Sequence, residues 1–539
     1  MGAFEQSGRR GVEMESLIKK ESIPLGEILY GLSFGALFFA KGIGLYDGQR
    51  IFTCFVMLSL LFGIGKLAVT KYSWKDFVFI AGMVALSLTI YKYSGEKGIL
   101  FYTWMIVGLK NVRLETVMRW GLKIWSLSFG GMFVYSLFHL PSSIYKVHDK
   151  LGLGHIFRWG MGQPHPNVLH ISYLILLLFI VYHLRERFNW KACLAMFAGN
   201  CYVFLYSVSY TGFAVVTVYL AANLYWQYRG KFGKIEQITC ECVFPLCVLL
   251  SVAGPLVIKG RLFDIINKLL NTRLYLSGLF LKKENIRLFG NNIGLLTDAT
   301  KTMDCSYVYG LIAYGVLFFG AMAVGYLFLI HKYVKEQKGL ELLMVFALLA
   351  AGLTEPLLFN TSYKNISFLF MGVCIFERWS SEEDRLMLSF HGRAAEDILV
   401  QVKRIDWKRV KDDLKLAAKQ KKKYIIACSS VIGIVCMILY TKNIPDYKGV
   451  IVPREHCADV GKESSIYLDE DSVQEYVGYL ILDYTDENTK MEKFEGNIIR
   501  LEKIRGMASG GIAGGVMGYC LAEALFFIMY KKTKVHNEK

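Results

Sequence analysis

"PNVLHISYLILLLFIVYHL", residues 166–184, runs through nineteen positions without a lysine, arginine, aspartate or glutamate. A helix of roughly 20 apolar residues crosses a hydrocarbon core of about 30 Å. Similar runs recur along the chain, which is 54% hydrophobic, too apolar for a soluble protein of 539 residues. The predicted spans are 24–45, 51–70, 74–92, 95–109, 122–140, 166–184, 190–207, 211–228, 239–258, 304–331, 339–359, 364–378, 424–441 and 507–530.

These runs predict an all-α polytopic membrane protein with three regions. Residues 1–378 form a multi-span core of about twelve helices, and 379–423 form a cytoplasmic amphipathic linker. Residues 424–539 form a two-span module that flanks a small extracytoplasmic α/β domain at 442–505. Within that domain "EYVGYLILDYTD" alternates as a strand does, and the repeated glycines of the last span predict close helix packing.

Lysine and arginine in the short loops predict the orientation of the chain. The basic connections alternate with nearly neutral ones, and both termini fall on the basic side. We therefore expect a multi-pass protein of the cytoplasmic membrane with both ends in the cytoplasm. The net charge of +17 follows largely from this topology, so no nucleic-acid partner is expected.

Most predicted outer loops are short and carry few charges, but three segments depart from this pattern: 141–165, 259–303 and 442–505. The second carries many cations on the side where the positive-inside bias should exclude them. One interpretation is an amphipathic helix that rests on lipid headgroups. The other is a cationic pocket for a phosphate-bearing ligand, and a lipid-linked sugar diphosphate would suit a site at the outer face.

Three stretches resemble bacterial O-antigen and capsule polysaccharide polymerases, which belong with the O-antigen ligases to one superfamily of membrane glycosyltransferases. "WGMGQPHPNVLHISYL", residues 159–174, resembles the segment that opens a helix in that family. "NTRLYLSGLFLKKENIRLFGNN", residues 271–292, is similar to its arginine-aromatic stretch, and "MDCSYVYGLIAYGVLFF", residues 303–319, to a later helix start. The resemblance covers about 1–378.

The resemblance implies that Arg158 and Arg273 bind the donor pyrophosphate and that Asp304 lies at the rim of the site. Fixed guanidinium groups can stabilise a diphosphate leaving group without a metal, so neither a metal nor a cofactor is expected. The family usually has Ser-Arg after its short outer turn. This chain has Tyr210 there instead, and Tyr210 is the predicted contact to the phosphate.

Two further candidates come from the residues themselves. His165 is placed at the outer start of a helix. His165 and Asp304 are the predicted catalytic groups, which take a proton from the attacking hydroxyl. Asn167 and the N–H groups of the same helix start can meet an anion. The alternative for His165 and Asp304 is a capping role, and the alternative for residues 157–167 is a turn between two helices.

The sequence thus predicts polymerisation of undecaprenyl-diphosphate-linked repeat units at the outer membrane face, with lipid-linked oligosaccharides as donor and acceptor. A chain-length regulator or a second copy of the chain stays open as a further partner. The alternatives are a ligase that moves finished glycan to another acceptor, and a polysaccharide-lipid flippase. The D-x-D of Asp469 and Asp471 is typical of enzymes that use nucleotide sugars, which are absent outside the cell, so no metal site is expected there.

Overall fold

The computed structural model describes residues 18–139, 145–149, 155–297, 302–379, 398–405, 422–442, 449–453, 473–476, 479–483 and 492–537. The chain divides into two compact units. The larger contains Pro24–Phe138 and Trp159–Leu399, and the smaller contains Met1–Ile23, His139–Arg158 and Val400–Lys539. The predicted D-x-D at 469–471 lies outside the described residues.

The larger unit is built from helices. They are α1 (Leu25–Gly42), α2 (Arg50–Ala68), α3 (Trp74–Ser94), α4 (Gly98–Val107), α5 (Leu114–Trp125), α6 (Gly131–Phe138), α7 (Pro166–Leu184), α8 (Trp190–Ser207), α9 (Tyr210–Arg229), α10 (Lys234–Val248), α11 (Gly254–Val257), α12 (Gly260–Leu269), α13 (Arg273–Phe280), α14 (Ser306–Ala313), α15 (Gly315–Lys335), α16 (Gly339–Ala351) and α17 (Ser367–Trp379). A π turn joins α5 to α6 and another joins α10 to α11.

Five helical segments among the described residues are long and apolar enough to cross a membrane. They are Arg50–Ala68, Trp74–Ser94, Pro166–Arg187, Lys234–Val257 and Gly315–Lys335. All of these segments except Pro166–Arg187 carry large exposed apolar side chains that suit contact with lipid, and the chain has the composition of a membrane protein. The expected count of about twelve core spans and the orientation of the chain stay predictions.

Helix α7, the stretch on which the membrane prediction rests, lies at the centre of the larger unit. It begins at Pro166, where the missing N–H and the fixed φ of proline suit a first helical position. Most of its side chains are buried, and it packs against α5, α8, α9 and α16. Because α7 is enclosed by protein, its two ends are fixed by several neighbouring helices.

The predicted single span 304–331 is wrong: the chain breaks there into α14 and α15. Gly315 has φ +84°, and a Cβ at this position would lie 2.4 Å from the N of Gly290. The segment that precedes α14 reaches in beside it, since the N–H groups of Val316 and Leu317 donate to the carbonyls of Arg287 and Leu288 at 3.0 and 3.3 Å. Irregular backbone at such a position is tolerated because protein groups satisfy its hydrogen bonds.

The smaller unit contains strands and two long helices. The elements that lie in it wholly or for most of their length are β1 (Ile18–Pro24), β2 (Tyr145–Asp149), β3 (His155–Trp159), β4 (Leu399–Ile405), α18 (Lys422–Lys442), β5 (Gly449–Pro453), β6 (Val473–Tyr476), β7 (Tyr479–Asp483) and α19 (Glu492–Asn537). Strand β1 pairs with β4 and β2 pairs with β3. Strand β7 lies between β5 and β6, antiparallel to both.

Two predictions for this unit have different outcomes. The stretch predicted as one strand is two strands, β6 and β7, that pair with each other, because the chain reverses between Tyr476 and Tyr479. The predicted close packing of the glycine-rich helix is confirmed. A Cβ on Gly514 would lie 2.5 Å from the Cβ of Cys436 in α18, and one on Gly518 would lie 3.0 Å from the Cα of Ser429. The domain boundaries at 378 and 423 stay predictions.

Candidate functional site

The turn that precedes α7 is shaped by contacts with protein. Met161 and Gly162 both have positive φ, 46° and 79°. A Cβ on Gly162 would lie 2.4 Å from the Cγ of Met132, and one on Gly44 would lie 1.8 Å from the carbonyl oxygen of Gly162. Glycines in such a turn can allow a ligand to approach the backbone. The structure shows instead that protein approaches it, so the glycines are required for packing.

A buried lysine ties this turn to the loop before α17. The Nζ of Lys364 lies 2.7 Å from the Oγ of Ser172 and 3.3 Å from the Oε1 of Gln163. Gln163 in turn donates from Nε2 to the carbonyl of Gly42 at 2.9 Å. All of these side chains are buried, and buried polar groups that satisfy one another hold their segments in one arrangement. The network therefore fixes the start of α7 against α1 and the loop at 359–366.

The first turn of α7 presents two of the predicted residues. His165 is the N-cap, and its Nδ1 accepts a hydrogen bond from the N–H of Asn167 at 3.1 Å. The capping alternative is therefore correct for Nδ1 of His165. The side chain of Asn167 points across to another segment, where its Nδ2 donates to Oε1 of Glu355 at 2.7 Å.

Glu355 lies in the turn after α16 and was missed in the sequence. Its side chain is buried, and its carbonyl accepts a hydrogen bond of 2.6 Å from the hydroxyl of Ser306. The same hydroxyl accepts from the N–H of Leu358 at 3.1 Å. One serine thus joins the start of α14 to this turn. A carboxylate within "LLAAGLTEPLLF", an otherwise apolar run, was the available signal, because an ionisable residue in such a run marks a functional candidate.

Arg273 reaches the same turn from the segment between α12 and α14. It is the first residue of α13, after two residues in left-handed conformation, Asn271 and Thr272. Its Nη2 lies 2.6 Å from Oδ2 of Asp304, and its Nε donates to the carbonyl of Thr354 at 3.2 Å. A third bond of 3.0 Å runs from Nη1 to the carbonyl of Asn271.

These bonds leave the guanidinium of Arg273 oriented but not saturated. A guanidinium carries five N–H donors, and the bonds to Asp304, Thr354 and Asn271 use three. The Arg273 side chain is 13% exposed and that of Asp304 is 24% exposed, so both can be reached from outside. A phosphate oxygen can accept the remaining N–H groups of Arg273 or take the place of Asp304 beside it.

The structure therefore brings together residues from four distant stretches of the larger unit. We call Asn167, Arg273, Asp304 and Glu355 the convergent cluster. Two carboxylates and one guanidinium lie within it, linked by the turn at Thr354–Glu355 and by the amide of Asn167. Three of the four members were predicted from the sequence. His165 is next to the cluster through its bond to the backbone of Asn167.

The two remaining predicted residues, Tyr210 and Arg158, are not members of the convergent cluster. Tyr210 is the first residue of α9, is 44% exposed, and packs its ring on Phe204 with the centroids 5.9 Å apart. Arg158 is buried in β3 and belongs to the smaller unit, whereas the convergent cluster belongs to the larger. The phosphate contact of Tyr210 and the joint action of Arg158 with Arg273 stay predictions.

The convergent cluster is suited to an anionic ligand through its arginine. Across the part of the chain that the structure describes, no group of three or more His, Cys, Asp or Glu side chains could hold a metal ion.

Comparison of the chain with family profiles, with curated proteins and with solved structures found no match.

Proposed function

We propose that this chain is a membrane glycosyltransferase that polymerises lipid-linked oligosaccharide repeat units. The observation that carries the proposal is the convergent cluster. It combines a fixed, partly exposed arginine with two carboxylates at the start of buried helix α7. Transfer of a glycan from a lipid diphosphate needs an anion stabiliser and a proton acceptor side by side. The resemblance of three of these stretches to polysaccharide polymerases supports the same reaction.

In the proposed reaction the bond between the anomeric carbon and the diphosphate breaks, and the electron pair leaves with the diphosphate. A hydroxyl of the acceptor sugar forms the new carbon–oxygen bond. Arg273 stabilises the negative charge that develops on the leaving diphosphate, and it does so best because its other bonds hold it in one orientation. Asp304 neutralises and orients Arg273 before the donor binds.

The proton of the attacking hydroxyl goes to Glu355 in this proposal. The carboxylate of Asp304 is committed to the guanidinium of Arg273 at 2.6 Å, and its proposed role is to orient that guanidinium. Glu355 is the second carboxylate of the cluster, and Asn167 holds its Oε1. His165, whose Nδ1 caps α7, stays a predicted alternative for the same role.

A gene deletion in cells that make the glycan tests the reaction class. We expect the ladder of polymer on a gel to collapse to single repeats that remain on the lipid carrier at the outer face. Complementation with the full chain should restore the ladder. Full-length polymer that accumulates unattached to its final acceptor would indicate a ligase instead. Repeats trapped at the inner face would indicate a flippase and would overturn the proposal.

A further inference from the structure

Helix α12 carries a complete apolar face that the protein leaves uncovered. None of its residues is buried, and Leu262, Ile265 and Leu269 are 57%, 55% and 75% exposed. At 100° per residue these three side chains fall on one side of the helix. The other side of α12 carries Arg261, Asp264, Asn267 and Lys268. Such separation in a helix of ten residues is typical of a surface between an apolar and a polar phase.

The position of α12 along the chain shows which phase boundary it meets. The segment Lys234–Val257 is long and apolar enough to cross a membrane, and α12 begins only three residues after its end. Leu256 and Val257, the last residues of that segment, are 56% and 73% exposed and continue the uncovered apolar surface toward α12. A helix that starts where a span leaves the hydrocarbon lies at the height of the lipid headgroups.

The charges of α12 suit an anionic lipid surface. Arg261 and Lys268 are both exposed on its polar face, and Lys259 directly precedes the helix. Asp264 is the acidic residue among them, so α12 has an excess of positive charge. Cations on the polar face of an interfacial helix are attracted to the phosphates of anionic lipids.

A tight turn couples α12 to α13. The N–H of Tyr275 donates to Oδ1 of Asn267 at 2.9 Å, and the N–H of Thr272 donates to the carbonyl of Asn267 at 2.7 Å. The N–H of Arg273 donates to the carbonyl of Leu270 at 3.2 Å. The depth of α12 therefore sets the depth of Arg273.

We propose that α12 lies in the plane of the bilayer, with Leu262, Ile265 and Leu269 among the acyl chains and its cations among anionic headgroups. This placement depends only on the exposed faces of α12 and on its neighbouring span. A consequence that rests on the proposed function is that α12 holds Arg273 at the height of the diphosphate of a lipid-linked donor.

Depth-dependent quenching tests the placement with the full chain in vesicles. An environment-sensitive fluorescent amino acid replaces Ile265 in one variant and Asp264, on the polar side of the helix, in a matched control. The vesicles contain lipids brominated near the headgroup end of the acyl chain. We expect severalfold stronger quenching at 265 than at 264. The difference should shrink when neutral lipids replace anionic ones or when Arg261→Gln and Lys268→Gln are combined.

Absence of quenching at 265, or equal quenching at both positions, would overturn the placement. If 265 is unquenched and the protein runs as a dimer, the apolar face is covered by a second copy instead. These outcomes are independent of glycosyl transfer. A chain that transfers glycan while 265 is unquenched would contradict the inference about α12 and leave the proposed function intact.

Discussion

The Arg273→Ala substitution is expected to lower the rate of glycosyl transfer about 10²–10³-fold, equivalent to roughly 2.7–4 kcal/mol of lost charge stabilisation. The reason is the geometry of the guanidinium, which Asp304, Thr354 and Asn271 hold in one orientation at the edge of the convergent cluster. In cells the polymer should be replaced by single lipid-linked repeats. The measurement is the rate of linkage formation by purified variant protein, with its folding checked by thermal stability in detergent.

Two variants separate chemistry from general electrostatics. Arg273→Lys keeps the charge but loses the planar fork, so we expect it to restore little activity. Arg287→Ala removes an exposed arginine of the segment between α13 and α14, outside the convergent cluster, and should retain nearly full activity. Normal transfer by Arg273→Ala, or an equal loss in both alanine variants, would refute the role of Arg273.

The Glu355→Gln substitution is expected to lower transfer about 10²–10⁴-fold, the usual contribution of a general base. The amide oxygen of glutamine can still accept the hydrogen bond from Nδ2 of Asn167, so the fold of the turn should be kept. The measurement is the dependence of the transfer rate on pH. In the wild-type chain the rate should fall on acidification as the carboxylate becomes protonated, and in the variant this fall should be absent.

Two further variants act as controls for Glu355. Glu355→Asp keeps a carboxylate at a shorter reach, so it should retain the acid limb of the pH profile at a lower rate. Glu284→Gln changes an exposed carboxylate of the segment between α13 and α14 and should leave the rate and the pH profile unchanged. If Glu355→Gln loses activity but keeps the wild-type acid limb, then Glu355 positions the site and another group, such as His165, takes the proton.

The positions of most helices could be predicted because each is a long apolar run, and the length of a span is fixed by the bilayer. Helix α7 begins and ends where residues 166–184 predicted. The break at Gly315 could not be predicted from hydropathy. It depends on backbone bonds from Val316 and Leu317 to residues more than twenty-five positions earlier, and no local pattern encodes such contacts.

The residues of the site could be predicted where the local sequence shows them, but their contacts with one another could not. Arg273 is the first residue of a helix and Asp304 lies two residues before the next one, and polar residues near helix starts are visible in the local sequence. Their pairing at 2.6 Å is a property of the tertiary structure. Glu355 was missed because its run reads as a buried helix, and only the bonds from Asn167 and Ser306 reveal where it lies. Likewise the packing role of Gly162, whose carbonyl oxygen lies against Gly44, depends on a tertiary contact that no local pattern encodes.

The most direct test of the central claim uses the purified full chain in vesicles with a defined oligosaccharide repeat on undecaprenyl diphosphate. The assay measures glycan length and released lipid diphosphate together. We expect dimers and longer chains, with one lipid diphosphate released for each new linkage and with both products lost in Arg273→Ala. Movement of intact substrate across the membrane, with neither a new linkage nor released lipid diphosphate, would contradict the account.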